Sequence, residues 1–364
     1  MMNRMGKAPI IEALLKPQET LQWPPRRWEG FLQLARSLNL LAKFAFRAES
    51  TDILDRLPYK VCEQLIAARN LAEHHRRTVS WEVQCLVNLL SYREIDFILL
   101  KGGAYIMAGL PAGLGRKVSD VDILVRKGSL EKAEQILLLA GWEHIKLNPY
   151  DQRYYRRYMH EIPPLKHKDR KTFLDVHHTI LPETGRLHPD PDLLWEDAQP
   201  VQDEYWRVLS PEDMVLHSAA HLFQDGDLEG GLRDLFDLDD LMHDFAMRDE
   251  NFWGNLHERA QRLDLTRPLF YALTFCHEIL GTAIPDRAMK QAQQGAPNPA
   301  VTQVMRYLAH RTLVPTTPDG RKRSNSWQQT ALYIRSHWLR MPPALLVNHL
   351  FHKGWRAAFP SSKT

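Results

Sequence analysis

Hydrophobic and polar residues follow two different periods along this chain, and the change of period divides it. Between Leu32 and Phe46, and again between Val61 and Arg93, apolar side chains recur every three or four residues, which is typical of amphipathic helices. Pro58 stands just before the second stretch, near a plausible helix start. The pattern predicts a helical N-terminal region over residues 1–94, with one long helix or two in its second half.

After residue 94 the helical period gives way to short apolar runs. Asp96–Leu100 contains a continuous run that is typical of a strand covered on both faces, and a helix that opens with glycine follows it. A second strand is predicted at Val121–Val125, and a helix lies between Ser129, an N-cap candidate, and Gly141, a stop signal. This strand–helix–strand–helix order predicts an α/β sheet.

The next stretch favours antiparallel strands. Residues 142–147 alternate like a strand, and residues 153–167 and 172–180 resemble a hairpin whose charged turn spans residues 168–171. We therefore expect the fold class to be α/β (α+β), with a small mixed sheet that forms a core over residues 95–181.

Beyond Leu181 the helical period returns. Ser210 is a predicted N-cap, followed by Pro211 at the first helical position. Residues 182–313 are predicted to form a helical domain that packs on the core, and residues 314–364 form a basic C-terminal segment that contains aromatic residues. Helices are expected within this part at residues 211–223, 232–245, 263–280, 301–313 and 327–338.

Composition adds little to this picture. The formal net charge is only +3, so it does not indicate a class of binding partner. The three cysteines are far apart, so no disulfide framework is expected. The N-terminus lacks a continuous apolar run of the signal-peptide kind, and no transmembrane segment is expected. A cytoplasmic location is the default expectation.

Two aspartates separated by one residue are the most informative polar feature. Asp120 and Asp122 open the second predicted strand, and alternate residues of a strand share a face. Two neighbouring carboxylates repel each other unless a cation lies between them, and paired oxygen ligands suit Mg²⁺. The alternative is a surface turn with scattered acids, which the apolar residues 123–125 disfavour.

A third carboxylate, Asp175, lies in a later apolar strand, where burial without a cation or a donor is costly. Three such aspartates could hold two Mg²⁺ ions that activate a hydroxyl and stabilise a phosphoryl group, with Asp175 as the base. Alternatively, Asp175 caps the following turn.

The Lys-Gly-Gly run at the start of the first predicted helix suits an anionic ligand. Gly102 and Gly103 lack a β-carbon and expose backbone N–H groups at a helix N-terminus, which suits a triphosphate. Lys101 and Arg116 could neutralise phosphate oxygens.

Histidines supply weaker candidates. His217 and His221 lie four residues apart on one predicted helix face, and with Arg233, Asp234 and Asp237 of the next helix they could line a cleft or form a buried polar network between two helices. His177 shares the strand face of Asp175 and is a candidate contact to nucleotide or to metal-bound water, with plain packing as the alternative.

The C-terminal segment interleaves aromatic and basic side chains. Its mixture fits an RNA-binding surface, a helix on an anionic membrane, or a helical lid with a solvated basic face. The residues concerned are Trp327, Tyr333, Trp338, Phe351 and Trp355, with Arg321, Lys322, Arg323, Arg335, Arg340, Lys353 and Arg356.

Taken together, these motifs resemble the nucleotidyltransferase superfamily with the polymerase-beta-like fold. Gly102, Gly103, Asp120, Asp122 and Asp175 match its motif positions. The lysine before the glycines, the Arg-x-x-Ser-Asp run at residues 116–120 and the Asp-Val-His-His run at 175–178 are more narrowly similar to a bacterial group of uncharacterised nucleotidyltransferases. The likeness covers residues 95–180 well and extends loosely to about 245. The 16 residues between Gly103 and Asp120 form a longer gap than the standard motif has.

The resemblance implies an enzyme that uses an NTP, often ATP, and two Mg²⁺ ions. Asp120, Asp122 and Asp175 would bind metal, and Ser119 would join Lys101, the two glycines and Arg116 at the phosphates. We therefore expect transfer of a nucleoside monophosphate to a hydroxyl or phosphate acceptor (transfer RNA or other RNA, a protein or peptide, or a small molecule) with release of pyrophosphate. The alternative is a catalytically silent accessory protein of a biosynthetic or export system that uses its basic C-terminal segment.

Overall fold

A computed structural model describes residues 8–145, 148–201, 203–225, 228–314 and 327–342. Its α-helices, numbered α1 to α15 along the chain, are Pro9–Leu15, Pro25–Ser37, Leu41–Ser50, Tyr59–Ser91, Lys101–Met107, Leu130–Leu139, Pro149–Tyr158, Pro191–Glu196, Pro211–Ala220, Leu232–Arg248, Phe252–Arg262, Thr266–Phe275, Asp286–Ala292, Pro299–Leu313 and Trp327–Arg340. Short π-helical turns extend α9 over His221–Asp225 and α12 over Cys276–Leu280.

The strands of the described residues form one mixed sheet. They are β1 to β7: Phe97–Leu99, Asp120–Leu124, Trp142–His144, Leu165–His167, Phe173–His177, Gln199–Val201 and Asp203–Val208. Their order across the sheet is β3-β4-β5-β2-β1-β7-β6. Strand β2 is parallel to β5 and antiparallel to β1, so both edges of the motif strand are covered.

One continuous hydrophobic core joins the sheet to helices from both ends of the chain. The N-terminal helices contribute an aromatic cluster in which Trp28 and Phe31 meet Phe44. Helix α4 is a single helix of 33 residues, and its buried side chains recur at helical spacing along one side. The predicted α/β class with helical flanks is confirmed.

Two local predictions need correction. Residues 153–158 belong to helix α7, so the first arm of the predicted hairpin is a strand only at its end, where β4 pairs antiparallel with β5 around the predicted charged turn. Residues 199–201 and 203–208 lie in the region expected to be helical as a whole, but they form β6 and β7, and β7 extends the sheet beside β1. This short hairpin contains Pro200 and has mixed polarity, so its sequence lacks the regular alternation that predicts a strand.

Helix starts follow the local signals more closely. The Ser210 hydroxyl accepts a hydrogen bond from the backbone N–H of Asp213, so the predicted N-cap of α9 is confirmed. Ser129 precedes α6 but makes no such side-chain bond. Within the described residues, no helix has the length and apolar character needed to cross a membrane.

Candidate active site

The three predicted metal-binding aspartates lie on two neighbouring strands. The parallel pairing of β2 with β5 sets Asp122 directly opposite Asp175, and Asp120 lies two residues before Asp122. Residues in register across a pair, and alternate residues along a strand, share a face. Asp120, Asp122 and Asp175 therefore lie on one face of the sheet, which we call the acidic face.

Strand β5 is held in this register by a buried glutamate on helix α4. Glu82 is fully buried and accepts hydrogen bonds from the Arg170 guanidinium at 2.7–3.2 Å and from the Thr172 hydroxyl at 3.0 Å. Arg170 belongs to the turn between β4 and β5, so the ion pair anchors that turn to the helix. Bidentate arginine–carboxylate pairs are geometrically specific, and this one positions Asp175 indirectly.

Asp122 is the most buried member of the acidic face. Only 4% of it is exposed, and its Oδ1 lies 2.8 Å from Lys101 Nζ and 3.1 Å from His177 Nε2. Burial opposes its charge, but Lys101 and His177 outweigh burial and hold the pKa of Asp122 far below its usual range. The carboxylate is therefore ionised at neutral pH.

Lys101 lies at the centre of several carboxylates. Burial opposes its charge, yet Asp122, Glu161 and Asp175 together raise the pKa of its ammonium group. Lys101 is also the first residue of α5 and has a φ of +48°, a conformation that non-glycine residues rarely adopt. A strained residue with a raised pKa among three acids is typical of a functional site.

The two glycines of α5 are buried and pack tightly. A β-carbon on Gly102 would lie 2.5 Å from Arg116 Nε and 2.9 Å from a Val118 methyl group, and one on Gly103 would lie 3.2 Å from Leu99. At Gly102 the group that comes close is thus the Arg116 side chain. Packing against Arg116 is a structural reason for glycine at this position, beside the predicted phosphate contact.

Arg116 points into a buried ionic cluster between helices. Its guanidinium pairs with Asp237 and lies 3.5 Å from Asp234, both on α10, while Lys43 of α3 lies 3.1 Å from Asp237 and 2.5 Å from Asp240. We call Arg116, Lys43 and these three aspartates the Arg116 network. Burial and the nearby Arg233 lower the pKa of Arg116. For Asp234 and Asp237 the structure thus shows a buried polar network between helices, which is one of the two alternatives that the sequence allowed.

The remaining histidine and arginine candidates lie near these two clusters. Burial, and next the charge of Lys101, lower the pKa of His217 well below its usual value, so its ring is neutral. His221 and Lys101 both act electrostatically on His217, and Arg233 lies 3.0 Å from Asp234. His217 therefore lies within electrostatic reach of Lys101, and Arg233 lies beside the Arg116 network. Their predicted roles as cleft contacts remain predictions.

Ser119 is exposed, and its hydroxyl donates to Asp120 Oδ1 at 2.9 Å. The hydrogen bond orients the less buried acid of the pair. Contact of Ser119 with phosphate likewise stays a prediction.

Sequence reasoning missed His160 and Glu161. They lie on a segment that runs antiparallel to the end of β5, where Glu161 forms an isolated bridge to His177. One ligand atom each of His160, Glu161 and His177 lie within 4.8 Å of one another. The available signal was a polar His-Glu pair in the predicted hairpin arm that faces the Asp-x-His alternation of residues 175–177.

The basic C-terminal segment is described only in part. In α15, Leu332 and Ser336 are buried, and Arg335 donates to the backbone oxygen of Phe223 at 2.8 Å, so this helix packs on the protein. Trp327 and Trp338 remain 62% and 43% exposed. The other predicted basic and aromatic contacts, at residues 321–323 and 351–356, lie outside the described residues.

In this mixed sheet a Gly-Gly helix follows one central strand, and Asp-x-Asp occupies the neighbouring strand. This arrangement defines the class of α/β nucleotidyltransferase folds. The chain belongs to the family described as uncharacterised nucleotidyltransferase, whose model matches residues 24–281. This match includes helices α2 to α4, for which the sequence motifs suggested no relative. No curated protein and no solved structure matches the chain.

Proposed function

We propose that this protein transfers a nucleoside monophosphate from an NTP to a hydroxyl or phosphate acceptor and releases pyrophosphate, in the cytoplasm. The observation that carries the proposal is the register that pairs Asp122 with Asp175 on the strand face that also bears Asp120. Membership of a nucleotidyltransferase family supports the same reaction class.

The donor set fits Mg²⁺. Asp122 is ionised at neutral pH, and Asp120 and Asp175 share its face, which gives the hard oxygen ligands that this cation prefers. Asp120, Asp122 and Asp175 would hold the metal, two ions in the arrangement that the fold class suggests. Bound Mg²⁺ would supply positive charge to the phosphoryl oxygens and lower the pKa of an acceptor hydroxyl.

The protein's own residues divide the remaining work. Asp175 would accept the proton of the acceptor hydroxyl, because it lies beside Asp122 on β5, an internal strand that pairs with both β2 and β4. Lys101, with the N–H groups of Gly102 and Gly103, would neutralise and orient the triphosphate. Arg116, whose guanidinium is occupied by Asp237, would act mainly by supporting the Gly-Gly turn.

The test is incubation of the purified full chain with each of the four labelled NTPs, Mg²⁺ and a cell extract, followed by separation of labelled RNA, protein and small molecules. Label transfer that disappears in an Asp122→Asn variant is the expected result. The absence of transfer with every NTP would contradict the proposal.

A separate observation supports a second candidate function. Asp122 Oδ1 is already contacted by Lys101 and His177, and Arg116 by Asp237, so the protein itself compensates part of the charge that substrate and metal would balance. This favours a catalytically silent binding or accessory protein. A thermal-shift titration separates the two readings, because an NTP that binds with Mg²⁺ raises the melting temperature by mass action. No shift with any NTP would favour the silent protein.

A further inference from the structure

A cluster of two histidines and one glutamate lies beside the acidic face but is not part of it. The ligand atoms of His160, Glu161 and His177 lie within 4.8 Å of one another. His160 and His177 are 7% and 1% exposed, and the Glu161 side chain is 13% exposed. Nitrogen and oxygen ligand atoms at such mutual distances are suited to binding one shared metal ion.

The backbone holds these side chains in a fixed arrangement. The N–H of Ile162 donates to the oxygen of Val176 at 3.0 Å, and the N–H of His178 donates to the oxygen of His160 at 2.9 Å. The rings of His160 and His177 stack with their centroids 5.2 Å apart and their planes 26° apart. The cluster therefore spans two hydrogen-bonded chain segments, and little rearrangement is needed to bind a ligand between them.

Asp122 determines how His177 is presented. The Asp122 carboxylate lies 3.1 Å from His177 Nε2 and accepts a hydrogen bond from this ring nitrogen. The other ring nitrogen, Nδ1, faces Glu161 Oε2 at 3.5 Å. A histidine that donates one N–H to a carboxylate and turns its other nitrogen toward further ligands has the usual geometry of a metal-binding histidine.

We propose that His160, Glu161 and His177 form a site for one divalent transition-metal ion of the zinc type, distinct from the Mg²⁺ ligands of the acidic face. Two imidazoles and one carboxylate are a typical ligand set for Zn²⁺, whereas Mg²⁺ prefers oxygen ligands alone. Three protein ligands leave a position for water or substrate. Glu161 also lines a cavity of about 500 Å³ with Glu134, Arg156 and His178, so one ligand of the site borders this cavity.

The proposed metal site would be linked to the acidic face through one residue, His177. His177 binds the ion through one nitrogen and holds Asp122 through the other, so occupation of the site orients Asp122. The inference does not depend on the transferase reaction, because metal binding is measured directly on the purified protein.

The experiment is calorimetric titration of Zn²⁺ into the full chain after removal of bound metal with EDTA, repeated with millimolar Mg²⁺ present. We expect one tight equivalent that excess Mg²⁺ does not displace. His160→Gln and Glu161→Gln should each weaken this binding at least tenfold, and Asp122→Asn should weaken it ~10–100-fold as an outer ligand. The absorption spectrum of the Co²⁺-loaded chain provides a second readout and should lose intensity in the same variants.

Two variants serve as matched controls. His178→Gln changes the neighbouring buried histidine, whose Nδ1 faces Glu183 at 3.9 Å, and Asp120→Asn changes an acidic-face residue outside the cluster. Both should retain the tight equivalent. Glu161→Gln preserves shape and keeps the test valid should His160→Gln fail to fold. The proposal is overturned if wild type binds no stoichiometric Zn²⁺, or if binding survives in both cluster variants, whether or not NTP transfer is found.

Discussion

The acidic face and the Arg116 network both bury aspartates beside cations, but their charge balance differs. Asp237 in the network is 1% exposed and Asp122 on the acidic face is 4% exposed. The network matches its aspartates with nearby cations from three parts of the chain: Lys43, Arg47, Arg116 and Arg233 for Asp234, Asp237 and Asp240. At the acidic face, Lys101 acts on Asp122 and Asp175 and also on the neighbouring Glu161, and His177 contacts Asp122.

The difference indicates what each cluster does. A buried cluster with balanced charge is complete by itself, and it joins helices α3 and α10 to the loop before β2. The acidic face instead sets Asp122 opposite Asp175 with Lys101 near both, and a bound cation would stabilise these carboxylates further. Burial and ion pairing alone therefore do not mark a functional aspartate. What distinguishes the acidic face is that Asp120, Asp122 and Asp175 share one face of the sheet.

The largest expected effect is on activity. Asp122→Asn keeps the size of the side chain but removes a charge from the acidic face, so transfer of label from NTP should fall at least ~10³-fold, equivalent to about 4 kcal/mol. Asp96→Asn, at an exposed position before β1, should retain wild-type activity. Transfer by Asp122→Asn within tenfold of wild type would place catalysis elsewhere.

The next effect is on stability and concerns the network. Arg116→Gln leaves Asp237 buried with Lys43 as its remaining ionic partner, so we expect a loss of about 3 kcal/mol in the free energy of unfolding, measured in urea. Arg248→Gln, which breaks the exposed pair with Asp244 on the same helix, should cost less than ~0.5 kcal/mol. Equal losses in the two variants would show that the network is no stronger than a surface pair.

A smaller effect links the network to the Gly-Gly turn. Gly102→Ala places a methyl group against Arg116, which Asp237 prevents from moving aside, so unfolding should become easier by about 2 kcal/mol. In an Arg116→Gln background the same change should cost less, since the obstructing group can relax. Gly128→Ala, which meets no atom within 4 Å, is the matched control and should be nearly neutral. Additive costs in the double variant would separate the turn from the network.

The smallest effect is a pH dependence of the Lys101–Asp122 pair. The folded pKa of Asp122 is lowered, so its contribution is complete above the unfolded pKa of about 4 and declines as pH falls below it. The folded pKa of Lys101 is raised, so its contribution is complete below about 10.5 and is lost as pH rises further. The unfolding free energies of wild type and Asp122→Asn should therefore differ by about 1–2 kcal/mol between these limits. They should converge in acid, and a constant difference down to pH 2 would contradict the assignment.

Much of the acidic face could be predicted because its signals are local. The Asp-x-Asp spacing places two carboxylates on one face of any strand, and the apolar residues around Asp175 indicate a buried strand. The hairpin of β6 and β7 and the helix α7 were missed, since short segments of mixed polarity carry no clear period.

By itself, the sequence determined the class of fold, the shared face of Asp120 and Asp122, and the N-cap at Ser210, because each depends on residues within a few positions of one another. Only the tertiary structure decided that β5 lies beside β2 with Asp175 opposite Asp122, that Arg116 pairs with α10, and that Glu161 and His160 approach His177. These contacts join residues from 16 to 121 positions apart. Strand order and helix packing bring them together, and both depend on how the whole core buries its apolar surface.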